Sequence, residues 1–137
     1  MTIINIRSAV ISSIIVWIIG VTAFMTSYSI SIFEDPDVQA NRVLSFMIIP
    51  AAFFGAHLYY RKGYLTNGWV LGVFMILVTI ILDAIITVPV LIIPEGGNHL
   101  SFFTDPGFWL IALEYIGVVI IYWFIKKTYQ MKAGIKT

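Results

Sequence analysis

Four apolar runs, at about residues 8–33, 43–60, 68–93 and 106–125, are separated by short connectors that hold most of the charge. Each is near the roughly 20 residues that a helix needs to cross about 30 Å of hydrocarbon. A backbone in lipid must satisfy its own hydrogen bonds, and these runs are too continuous for the alternating pattern of a membrane barrel. The expected fold is therefore all-α, an integral membrane four-helix bundle that forms a single domain over residues 1–137. Composition agrees, with 11% charged residues against about 25% in a soluble domain. The run after Arg7 continues past Gly20 to Phe33 without a small-residue cleavage site, so it is read as a retained span and not a cleaved signal.

Charge sets the expected orientation. The connector Glu34–Arg42 carries Glu34, Asp35 and Asp37 against Arg42, and the connector 94–105 carries Glu95 and Asp105 with no base. Seven of the eight bases fall at the opposite end of the spans: Arg7, Arg61, Lys62, Lys126, Lys127, Lys132 and Lys136. The positive-inside rule makes that end cytoplasmic, with both termini inside a bacterial-type inner membrane. Tyr59, Tyr60, Tyr64, Trp69, Trp123 and Tyr129 at the basic end, and Phe108 and Trp109 at the acidic end, suit the two interfaces.

Turn chemistry marks the same breaks. Asp35-Pro36-Asp37 closes the first run, Lys62-Gly63 and Asn67-Gly68 bracket the middle hairpin, and Pro94 with Gly96-Gly97 ends the third. Asp105-Pro106 reads as a helix cap followed by proline at the first helical position. Phe102-Phe103 makes the last connector apolar enough to lie at the interface or fold over the bundle. Gly20, Ala23, Ala51, Ala52, Gly55, Ala56, Gly72 and Gly117 are expected close-packing positions, and Ala51/Gly55, Ala52/Ala56 and Gly68/Gly72 have small-xxx-small spacing.

Asp83 is the residue that the apolar runs least accommodate, since an ionisable group at that depth is expensive and marks a site by default. At a rise of about 1.5 Å per residue it lies ~15 Å from the outer end of the third run, and Glu114 lies ~12 Å inside the fourth. The two carboxylates share a level, and Thr22 and Thr26 on the first span, Thr79 and Thr87 one turn either side of Asp83, and Tyr115 can join them. Pro50 on the second span frees the Phe46 carbonyl at the same level. No lysine or arginine lies within the spans, so two carboxylates brought close would share a proton. The expectation is an outward-facing pocket of Asp83, Glu114, Thr22, Thr26, Thr79, Thr87 and Tyr115 for a proton, a cation or a small ligand. The competing reading is that the acids only help to pack the helices through threonine hydrogen bonds.

Other chemistry finds little support. There is no cysteine, hence no disulfide, thiolate metal site or cysteine nucleophile. No G-x-S-x-G, H-E-x-x-H or P-loop pattern occurs, and no enzyme, cofactor or metal is expected. His57 falls near the basic turn as an interfacial histidine, and His99, near Glu95 and Asp105, lacks the spacing of a metal site. The two lie at opposite ends, which does not suit axial haem ligation. With no basic patch, nucleic acid is excluded as a partner, and the expected contacts are lipid and either a second copy of the chain or a larger membrane protein. Two further roles follow from those partners: a small transporter or channel acting as an oligomer, or an accessory or assembly subunit. The apolar stretches Val70–Val78 and Val118–Ile125 offer the first of these no polar route.

The stretch Leu82-Asp83-Ala84 before Pro89, followed by Phe103-Thr104-Asp105-Pro106-Gly107-Phe108-Trp109, is similar to the distinctive part of a family of small four-span bacterial membrane proteins of unknown function. That resemblance implies a four-span fold and no particular activity. The small multidrug resistance transporters are also four-span and work around a membrane carboxylate, but theirs is a glutamate in the first span, which here has no acid.

Overall fold

The computed structural model describes residues 4–30, 34–64 and 66–132. The expected end of the first span at residue 33 and the base Lys136 lie outside them, as do the side chains of Asp37, Glu95 and Lys132. All described secondary structure is helical: α1 (Ile6–Ser27), α2 (Pro36–Tyr60), α3 (Gly68–Leu82), α4 (His99–Phe103) and α5 (Pro106–Lys132). From its C-terminus α3 continues as a π-helix, Asp83–Ile92, and a short 3-10 turn, Ile93–Glu95. Four stretches, Ile6–Ser27, Val38–Tyr60, Gly68–Ile92 and Pro106–Tyr129, are long and apolar enough to cross a membrane.

Local chemistry explains the ends. Asn5 caps α1 by accepting from Ser8 N, and Asn67 caps α3 by accepting from Trp69 N. Asp105 caps α5 by accepting from Gly107 N at 3.1 Å, as its place before Pro106 predicts. The second helix starts earlier than expected, because Pro36 suits a first helical position and the Asp35 backbone carbonyl accepts from Gln39 N at 3.1 Å. The acidic connector is thereby largely drawn into α2. Gln39, which is buried, donates from Nε2 to the Ser27 carbonyl at 2.8 Å and ties the end of α1 to the start of α2.

The bundle is a square in which α1 packs on α2 and α3, and α5 packs on the same two. Apolar side chains face outward on every long helix, among them Ile18, Phe46, Leu77 and Leu113. Such a surface is stable only against an apolar surround. At the end that carries Arg61, Lys62 and Lys126, here the basic end, the helices close tightly. A Cβ on Gly68 would lie 3.0 Å from Ile120 Cα, one on Gly72 would lie 3.2 Å from Ile116 Cγ2, and one on Gly55 would strike Val16. Tyr59 and Tyr60 are buried there and hydrogen-bond Thr66 through its hydroxyl and its carbonyl respectively. Gly117 differs from expectation: a Cβ would meet nothing within 4 Å, because this residue turns away from the α3 crossing.

Gly68→Leu should therefore force α3 and α5 apart and cost about 1–3 kcal/mol, read as a lowered Tm in detergent. Gly117→Ala should raise Tm, by up to about 1 kcal/mol of helix propensity. Equal effects at both positions would refute this account of the crossing.

Candidate functional site

Toward the opposite, acidic end the four long helices part around a cavity of about 720 Å³. Helical phase decides what faces it. From α1 come Trp17, Gly20, Val21 and Phe24, with Tyr28 at its C-cap, from α3 Ile76, Thr79 and Ile80, and from α5 Phe108, Ile111, Ala112 and Tyr115. These are single stripes of three- and four-residue spacing. The π-helix adds Asp83, Thr87, Leu91 and Ile92, and α4 adds Ser101 and Phe102.

Asp83 is 7% exposed and has two neutral donors on the same oxygen. Trp17 Nε1 donates to Oδ1 from α1 at 3.0 Å, and Thr87 Oγ1 donates to Oδ1 from the next turn at 2.7 Å. The indole also reaches Thr87 Oγ1 at 3.2 Å, which closes a triangle across the α1–α3 seam. With both donors on Oδ1, Asp83 Oδ2 has no hydrogen-bond partner among the described residues. Tyr115 also borders the cavity, but it is 1% exposed and its hydroxyl oxygen is sealed beside Thr79, making no hydrogen bond of good geometry. The nearby Thr79 hydroxyl donates to Met75 O.

The π-helix shapes the upper wall. Its hydrogen bonds run from each N–H to the carbonyl five residues back, and Pro89 has no N–H to offer Ala84. His99 Nε2 supplies the missing donor, meeting the Ala84 carbonyl at 2.9 Å, and so fastens α4 to the π-helix. Phe102 of α4 packs on Phe108 with ring centroids 5.1 Å apart. The apolar connector thus folds over the bundle as a small cover.

Of the residues expected to form a pocket, Asp83, Thr79, Thr87 and Tyr115 come together. Glu114, Thr22 and Thr26 do not. Glu114 projects a third of a turn from Tyr115 toward α2, where Ser45 Oγ donates to it at 3.1 Å. Thr22 and Thr26 lie on the exposed face of α1, opposite the Trp17 stripe, and Thr26 donates to the Thr22 carbonyl at 2.7 Å. Equal depth did not mean equal azimuth. Pro50, at the same level, is also exposed. Trp17 is the partner of Asp83 in the cavity wall that sequence reasoning missed; its three-residue step to Gly20 and seven-residue step to Phe24 on one stripe was the available signal. His57 sits at the basic end, with Nδ1 2.9 Å from the Tyr122 hydroxyl. Comparison with protein-family models, curated proteins and solved structures finds no match.

Because the two intramembrane carboxylates have separate partners on separate seams, Asp83→Asn and Glu114→Gln should change stability additively, to within about 0.5 kcal/mol in a double-mutant cycle. A larger coupling would restore a shared proton. His99→Ala should lower Tm through loss of one hydrogen bond to Ala84 O, about 1 kcal/mol; an unchanged Tm would mean that solvent satisfies this carbonyl.

Proposed function

We propose that this chain is a non-enzymatic integral protein of a bacterial-type inner membrane, with both termini cytoplasmic, whose cavity opens outward and binds a small ligand at Asp83. The observation that carries this reading is an apolar cavity walled by one carboxyl group, Asp83, whose Oδ2 has no hydrogen-bond partner among the described residues. Buried polar groups normally have partners, and each exception needs a reason. A volume of about 720 Å³ falls within the roughly 300–1,000 Å³ of small-molecule pockets, and packing alone would not leave such a space. The orientation rests on the segregation of bases and acids between the two ends. The tight basic half favours binding over passage: a Cβ on Gly55, Gly68 or Gly72 would crowd its neighbours there, and Val70–Val78 and Val118–Ile125 are apolar.

The absence of cysteine allows single-cysteine labelling without background. An impermeant thiol reagent applied from outside should modify Glu34→Cys but not Arg61→Cys, and the reverse pattern would invert the orientation. The same reagent should modify Ile80→Cys, deep in the cavity, and spare Leu77→Cys, which is more exposed on the bundle but turned toward lipid. If Ile80→Cys resists labelling from the acidic end, the outward pocket is wrong.

A further inference from the structure

We propose that the occupant of this cavity is a lipophilic monovalent organic cation, held with its positive centre at Asp83 Oδ2 and its apolar body among the aromatic walls. The inference rests on the outward pocket above and specifies what that pocket takes.

The charge of the wall comes first. The lining residues include two carboxylates, Asp83 and Asp105, and no lysine, arginine or histidine. An anionic ligand would meet only repulsion there. A zwitterionic headgroup would bring a phosphate with no base to receive it. The mouth has the same sign, since the connectors at that end hold Glu34, Asp35, Asp37, Glu95 and Asp105 against Arg42 alone. A funnel of one sign concentrates the opposite ion.

The rest of the wall then selects among cations. Trp17, Phe24, Tyr28, Phe102 and Phe108 line the space above and around the carboxylate. Aromatic faces attract organic cations and exclude none of their apolar bulk. A hard metal ion requires six or more oxygen ligands at short range, and among the described residues no three histidine, aspartate or glutamate side chains gather. A proton alone has no use for a cavity of about 720 Å³. The Asp83 geometry suits an incoming monocation: Oδ1 is held by Trp17 and Thr87, which fixes the carboxylate plane and leaves Oδ2 as the contact. A single positive centre matches a single carboxylate in a membrane interior, where a free charge is costly.

Tetraphenylphosphonium and tetraphenylborate have nearly the same shape and opposite charge, so they separate charge selection from mere greasiness. The full-length Ile80→Cys chain in nanodiscs of zwitterionic lipid is labelled in the presence of each. Tetraphenylphosphonium should protect the thiol saturably, at a concentration at least tenfold below any protection by tetraphenylborate. Adding Asp83→Asn should leave the thiol reactive without probe, which shows an intact cavity, and should raise the protecting concentration of tetraphenylphosphonium at least tenfold. Protection by both probes alike, by tetraphenylborate alone, by neither, or undiminished with Asp83→Asn would overturn the cation assignment while leaving the pocket in place. A thiol that fails to react even without probe would instead overturn the pocket reading.

Discussion

The site depends on how one carboxylate is kept in an apolar bundle without a basic partner. Placing an aspartate near the middle of a bilayer costs about 2.5–3.5 kcal/mol on insertion scales. A hydrogen bond to a charged group contributes about 1.5–3 kcal/mol, so the two donors on Asp83 Oδ1 are of the right size to offset that cost. One of them, Trp17, belongs to a different helix. The interaction that makes the charge tolerable therefore also fastens α1 to the point where α3 changes into a π-helix. It concentrates both donors on one oxygen, and this asymmetry is what leaves the other oxygen available.

The cavity itself is a consequence of where small residues fall. Gly55, Gly68 and Gly72, with Ala51, Ala52 and Ala56 beside them, let the helices approach closely at the basic end. Toward the acidic end the inward positions carry Phe24, Leu44, Ile48 and Phe108 along with the smaller Gly20 and Ala112. Larger side chains line the gap without filling it, and the π-helix keeps Asp83, Thr87, Leu91 and Ile92 turned toward it over about two turns. The same four helices thus form a sealed half and an open half from one packing rule.

Much of this was readable from residue order. The four helices, the break at Asn67-Gly68, the cap at Asp105, and the close approach at Gly68 and Gly72 follow from apolar length, turn residues and small-residue spacing, which are local properties. Depth could be counted from an α-helical rise, although the π-helix beyond Asp83 shortens that count on the third span. Azimuth was used only within the third span, where it grouped Thr79 and Thr87 with Asp83, and not between spans, which is where the expected site and the observed cavity diverge. Glu114 and Tyr115 are adjacent in sequence but a third of a turn apart, so one meets Ser45 on α2 while the other lines the cavity. Thr22 and Thr26 fail for the same reason, half a turn from Trp17. The π-helix was beyond such reading, since Pro89 in an apolar run gives no sign of which carbonyl it will strand or that His99 will pair with it. Gln39 was hidden inside a connector read as loop, whereas Pro36 in fact begins a helix there.

A ligand can move a protein only as far as it contacts two arrangements of that protein differently. In this bundle the half locked by glycine and alanine contacts has no second arrangement within easy reach, because close-packed backbones resist small displacements. The parts that touch the cavity and are held more lightly are α4, fastened by His99 to Ala84 and by Phe102 to Phe108, and the π-helix, whose ladder is already interrupted at Pro89. An occupant at Asp83 meets Thr87 and Leu91 on one side and Phe102 on the other. A ligand bound there as proposed would touch the acidic-end cover and not the glycine contacts of the basic end. That division suits the proposed binding of a cation better than it suits passage through a single chain.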